Sequence, residues 1–195
     1  TSGFFGGLGL ISNIMEGTPL LDGWLYNFAV TLFEMLFVGL FEEIAFRALI
    51  NDAIIYQFRK FKYVWVLAAV VSSFIFGYVH VMYEPLNSPL MVGQVVGKTI
   101  STGLFGLASL FLYWKTRNIW ACGLLHGLFD FLTCLPIILF EAPEIGDSSY
   151  AVQGEEGLSV IIIYAIDILI NAIICIIIWK KIGKTMDFEE MRENW

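Results

Sequence analysis

The sequence predicts an all-α polytopic membrane protein, a bundle of about five to six transmembrane helices. Three observations carry this expectation. The chain of 195 residues is 58% hydrophobic, against roughly 45–50% for soluble proteins. Only 15% of its residues are charged, against about 25% in an ordinary globule. Its apolar residues gather into stretches close to the length of about 20 that spans a bilayer, and the mean hydropathy is +0.76. This composition excludes a secreted disulfide scaffold, a disordered chain and a nucleic-acid binder, which would carry a basic face. The net charge of −7 adds little, because several acids lie inside the apolar stretches.

Five stretches qualify in order. The first starts at about Trp24 and continues, with charges, to Phe58. The second is Tyr63 to His80, the third Val92 to Trp114, the fourth Ile119 to Phe140 and the fifth Leu158 to Trp179. The cluster Glu84-Pro85-Leu86-Asn87-Ser88-Pro89 reads as a turn, and the acidic, Gly- and Pro-bearing segment 141–157 reads as a loop. Residues 1–23 are Gly-rich, an interfacial helix or the remnant of an earlier span. No basic stretch precedes the first apolar run, so no signal peptide is expected. The chain contains no repeat, and 1–195 reads as a single transmembrane domain with 41–130 as its motif-bearing core. Cys122, Cys134 and Cys175 are an odd number without CxxC spacing, so they read as buried apolar side chains rather than a disulfide or zinc framework.

Basic residues set the orientation. Arg59, Lys60 and Lys62 follow the first stretch, Lys115 and Arg117 the third, and Lys180, Lys181 and Lys184 the fifth. The connections at 81–91 and 141–157 hold no Lys or Arg. All three clusters fall on one side of a single alternation. The expectation is a multi-pass protein, of a prokaryotic plasma membrane in view of its small size, with a cytoplasmic C-terminus.

Ionisable residues inside a bilayer cost about 2.5–3.5 kcal/mol each on insertion scales and mark functional sites. Here Glu34, Glu42, Glu43, Arg47, Asp52, His80, Lys98, His126, Asp130 and Asp167 lie in or near the spans, and both histidines of the chain are among them. On a helix, Glu43 and Arg47 share a face, while Glu42 points elsewhere. Arg47 can then hold Glu43 and leave Glu42 for general-base work on water. The alternative is a structural Glu–Arg pair beside a solvated glutamate. Phe76 and His80 share a face four residues apart, as do His126 and Asp130. Each pair alone is weak. Together they offer two imidazoles and three carboxylates on three apolar helices. That set suits a general base with an oxyanion donor, and equally a metal site of two histidines and a carboxylate. A Cys122–His126 nucleophile pair is a weaker option.

Glu-Glu-x-x-x-Arg at 42–47, Phe-x-x-x-His at 76–80 and His-x-x-x-Asp at 126–130 together resemble the three motifs of the CAAX protease and bacteriocin-processing (CPBP) family of intramembrane proteases, which includes the Ras-converting CAAX endopeptidase. The stretch from Gly103-Leu104-Phe105-Gly106 through Asn118-Ile119-Trp120 to His126 is similar to the family's approach to its third motif. The resemblance covers about residues 41–130 and implies a helix bundle with a polar cavity that hydrolyses peptide bonds with water, without a covalent intermediate. Carried over, Glu42 matches the catalytic glutamate, and His80 matches the histidine that helps it activate water. His126 and Asp130 match the oxyanion pair, with Glu43 and Arg47 in support. Position 130 is often Asn in the family. An amide donates at any pH, whereas a carboxylate donates only when protonated. Asp130 could therefore be neutral, orient His126 or ligate a cation.

The function expected is an intramembrane endopeptidase acting on a small or lipidated peptide precursor. The alternative is a non-proteolytic subunit or bacteriocin-immunity protein that uses the same cavity. The substrate is a peptide or prenylated peptide met within the lipid bilayer, a membrane-protein partner is a further candidate, and no nucleic acid is expected. No metal is favoured as cofactor. Zinc, held by His80, His126 and Asp130, is the alternative. At 1.5 Å per residue, Glu42 and His80 lie about 25 and 27 Å above their basic ends but His126 only about 13 Å. A shared site then calls for tilt, a projecting basic end, or a break near Gly39 or past the second motif residue.

Overall fold

The structure, a computed structural model, describes residues 3–140, 149–154 and 156–194. It is 82% helix and, among the described residues, contains no strand. In chain order the helices are α1 Gly3–Glu16, α2 Trp24–Glu43, a π-helical stretch Ile44–Asn51, α3 Asp52–Gln57, α4 Val64–Val79, α5 Pro89–Thr116, α6 Ile119–Phe140, α7 Glu156–Ile182, a 3-10 turn Gly183–Thr185 and α8 Phe188–Asn194. The all-helical membrane architecture expected from composition is what forms.

Among the described residues, three helical runs are long and apolar enough to cross a bilayer: Pro89–Thr116, Ile119–Phe140 and Glu156–Thr185. The other two stretches differ from the expectation for identifiable reasons. The apolar helix α4 has 16 residues, about 24 Å of rise against a hydrocarbon core of about 30 Å. The first stretch is not one helix. Gly39 lies within unbroken α2, and the α-helical bonding ends directly after the glutamate pair, where the π-helical stretch begins. The expected acidic connection falls outside the described residues at 141–148 and 155.

The chain forms two compact units, Thr1–Ile44 with Asn118–Asp147, and Ala45–Arg117 with Ser148–Trp195. In the first unit, α2 packs on α6 at glycines. A Cβ on Gly123 would lie 2.7 Å from Leu40 Cα, one on Gly127 would strike the Met35 carbonyl and lie 2.6 Å from Leu36 Cα, and one on Gly39 would strike the Gly127 amide. Gly123-x-x-x-Gly127 is the small-xxx-small spacing that lets apolar helices approach backbone to backbone. Phe28 and Phe131 meet edge-on at 4.9 Å beside this seam. Helix α1 packs on α6 in the same way, with Gly6 against the Thr133 carbonyl. Its exit is tied by the Leu21 amide, which donates to Leu139 O at 2.9 Å.

In the second unit, α4 meets α5 where Gly77 faces the Thr99 carbonyl and Gly103 faces the Ser73 carbonyl. Ser88 caps α5 by accepting from the Met91 amide at 3.2 Å, and Pro89 takes the first helical position, where its missing N–H costs nothing. The fully buried Gln94 fastens Val152 and Gly157 to α5. Its amide donates to Gly157 O at 2.8 Å and Val152 O at 3.0 Å, and its oxygen accepts from Val152 N at 2.7 Å. Helix α7 is bonded to α5 through Asn171 to Ser101 O at 3.3 Å and the Cys175 thiol to Leu104 O at 3.1 Å.

Candidate active site

Glu42 and Glu43 occupy the last turn of α2, and His126 stands in the middle of α6 beside Gly127. The missing side chains at Gly39, Gly123 and Gly127 bring the two backbones close enough for one imidazole to reach both glutamates. His126 Nδ1 lies 2.9 Å from Glu43 Oε1. Its Nε2 lies 3.6 Å from Glu42 Oε2 and 3.3 Å from Asp130 Oδ2. An ionised carboxylate can only accept, so Nδ1 carries the proton toward Glu43. Glu43 is fully buried and the His126 side chain is 3% exposed, whereas Glu42 and Asp130 are 21% and 29% exposed. The cluster thus has a dry side, at Glu43, and an accessible side, at Glu42 and Asp130.

Helix geometry turned Glu42 away from Arg47, and His126 is a further partner, one that both glutamates share. Adjacent residues on a helix are about 100° apart, but an imidazole presents nitrogens on two edges. One ring set between the glutamates meets both. Asp130, four residues beyond His126, closes on the same nitrogen that faces Glu42.

Arg47, Phe76 and His80 belong to the second unit, with the following geometry there. Arg47 is buried at 1% exposure. Its Nη2 donates to Gly106 O at 3.1 Å, and its guanidinium lies over the Phe76 ring, 4.5 Å from the centroid. A Cβ at Gly106 would lie 2.6 Å from Phe76 Cδ1 and 3.3 Å from Arg47 Nη2, so only glycine leaves room for both. Phe76 also meets Phe46 edge-on at 5.0 Å and the His80 ring at 4.9 Å. His80 follows the last residue of α4, and its Nδ1 lies 2.7 Å from Phe76 O. A carbonyl only accepts, so Nδ1 carries a proton.

Some functional geometry escaped sequence reasoning. Arg47 sits in a π-helical stretch, a form that recurs at functional sites, and no residue pattern here announced it. Asp52, singled out as an ionisable group near a span, accepts from the Tyr113 hydroxyl at 2.9 Å and from Arg117 Nη2 at 3.1 Å. Asn51 adds a bond to the same carboxylate at 3.0 Å. Arg117 was read only for topology. The three glycines of the α2–α6 seam could have been found from their small-residue spacing. Among the described residues, no group of three His, Cys, Asp or Glu side chains has the convergence a metal ion needs.

The apolar helices and their buried ionisable residues define the class: an integral membrane protein with a polar cluster set among helices. The family model described as type II CAAX prenyl endopeptidase Rce1-like matches residues 24–132, more than half of the chain and all three motifs. The chain belongs to this CAAX protease family, as the motifs at 42–47, 76–80 and 126–130 led us to expect. No curated protein and no solved structure matches it.

Proposed function

We propose that the chain is an intramembrane endopeptidase that hydrolyses a peptide bond of a prenylated peptide, with Glu42 activating the attacking water. The observation that carries this reading is the gathering of Glu42, Glu43 and Asp130 around the buried His126 ring. The 3.6 Å between Glu42 Oε2 and His126 Nε2 is too long for a direct bond and suits a water shared by the two groups. Glu42 takes a proton from that water while the water oxygen bonds to the scissile carbonyl carbon. The carbonyl π pair moves onto oxygen. His126, with a carboxylate at each ring nitrogen, donates Nδ1–H to Glu43 and Nε2–H toward the oxyanion. The oxyanion pair then re-forms the C=O as the C–N bond breaks and the proton held by Glu42 passes to the leaving nitrogen, giving an acid and an amine. Asp130, 3.3 Å from Nε2, orients the ring rather than donating, because an ionised carboxylate has no proton to give.

His80 takes a share in activating water, an assignment that rests on the family resemblance alone. Arg47 and Phe76 are positioning residues. No metal takes part, and the support is that each nitrogen of His126 already faces a carboxylate. Substrate and enzyme meet in the bilayer, with the C-terminus on the cytoplasmic side.

The test is incubation of the purified full chain with a farnesylated peptide ending in a CAAX sequence and with its unprenylated twin, with products identified by mass. Cleavage of the prenylated peptide after its modified cysteine is expected. Glu42→Gln, His80→Ala and His126→Ala should each lower the rate by about 10²–10⁴ while the protein stays folded. Binding of the peptide without cleavage would instead support a non-proteolytic subunit using the same cluster.

A further inference from the structure

The chain carries a net charge of −7, yet one opening on the second unit is basic. A cavity of about 410 Å³ is lined by Arg59, Lys60, Arg192 and Glu193. Three cations face one anion there. Arg59 and Lys60 follow α3, and Arg192 is brought in by α8 from the far end of the sequence.

Aromatic stacking holds α8 in place. Phe188 lies on Trp65 at 4.3 Å and 23°, and near Trp179 at 5.7 Å and 27°. Trp114 closes on it edge-wise at 6.3 Å. An ion pair with Glu189, one turn earlier, fixes Arg192 on α8. On the α3–α4 side, the Arg59 guanidinium lies over Tyr56 at 5.0 Å, and Lys62 lies over Tyr63 at 5.5 Å.

Tryptophan and tyrosine rings gather at the membrane–water interface, at headgroup level. Trp65 opens the apolar α4, Trp114 closes α5 and Trp179 closes α7, so the rings around Phe188 mark where apolar helices end. A basic opening at that level meets lipid phosphates before any dissolved anion, and basic pockets at helix ends bind anionic headgroups.

We propose that the opening lined by Arg59, Lys60 and Arg192 binds the phosphate headgroup of an anionic phospholipid, and that α8, latched by Phe188, forms one wall of that site. The proposal is independent of the proteolytic reading, because it is tested by binding alone.

The experiment places the full chain in nanodiscs of phosphatidylcholine and titrates in short-chain phosphatidylglycerol, following tryptophan emission and counting retained lipid by native mass spectrometry. Saturable retention of phosphatidylglycerol over phosphatidylcholine is expected. Arg59→Ala, Lys60→Ala and Arg192→Ala should each weaken it about 5-fold. Glu193→Gln should tighten it, since it removes the one anion in the lining. Lys180→Ala removes an exposed charge of the basic tail that does not line the opening, and it should change nothing. Phe188→Ala should weaken retention as Arg192→Ala does. If Phe188→Ala fails to fold, the exposed charge variants still decide the matter. Equal retention of both lipids, or an effect of Lys180→Ala as large as that of Arg192→Ala, would overturn the proposal. Displacement by inorganic phosphate at the same concentration as lipid would also overturn it, in favour of a soluble anion.

Discussion

Gly127→Ala probes the α2–α6 seam without touching a charged group. A Cβ there would strike the Met35 carbonyl and lie 2.6 Å from Leu36 Cα. Both are backbone atoms of α2, so no rotamer change relieves the contact. Ordinary contact begins at 3.4 Å, so the helices must part by about 0.8 Å at this level. His126 is the preceding residue. Its bond to Glu43 is 2.9 Å and would lengthen to about 3.7 Å, past the limit of a hydrogen bond. Overpacking of this kind costs about 1–3 kcal/mol, and misplacing a catalytic group by about 1 Å costs on the order of 10²-fold in rate. Thermal unfolding in detergent and kcat/KM on a farnesylated peptide measure the two effects. Gly7→Ala is the control, a helical glycine of the same unit whose Cβ would meet nothing within 4 Å, and it should be neutral or stabilising by up to about 1 kcal/mol. A Gly127→Ala protein with unchanged Tm and full activity would refute the reasoning.

Three other outcomes follow from the same geometry. Arg47→Ala removes the donor to Gly106 O and the cation over Phe76; it should lower stability by about 1.5–3 kcal/mol, and an unchanged unfolding temperature would show that Arg47 supports nothing. For topology, cysteines introduced at 60 and 184 should resist an impermeant thiol reagent in intact cells while one at 153 reacts, and the opposite pattern would reverse the orientation. Active protein purified without added metal should contain no stoichiometric zinc and should survive chelation, whereas one zinc per chain, with activity lost on removal and regained on return, would replace the glutamate mechanism.

The helical membrane class was legible because it depends on composition and on run lengths, which survive any detail of packing. The ends of α5 and α6 fall within a few residues of the apolar stretches Val92–Trp114 and Ile119–Phe140, since Pro89 and Asn118 punctuate them. The first stretch was read less well. Hydropathy does not distinguish an α-helical from a π-helical turn, so the change at Ile44–Asn51 left no trace in the residue pattern. Within the candidate site, His126 and Asp130 were paired from their spacing of four, and the structure sets them 3.3 Å apart. The bond between His126 and Glu43 joins residues 83 apart in the chain, and only the approach of two helices creates it. That approach is written in Gly39, which sequence reasoning read only as a possible break, and in Gly123 and Gly127, which it passed over because they carry no chemistry of their own. Asp52 shows the converse. It was noticed as a charge near a span, but its partners Tyr113 and Arg117 lie over sixty residues away.

The most direct measure of Glu42 as the base is the rate of peptide hydrolysis by Glu42→Gln beside the unaltered chain, each purified, folded and given the same farnesylated peptide. The substitution keeps the size of the side chain and removes its capacity to take a proton from water. The prediction is a loss of about 10²–10⁴ in kcat, with the unfolding temperature preserved because Glu42 sits on the accessible side of the cluster. Cleavage by Glu42→Gln at the rate of the unaltered chain would contradict the central claim.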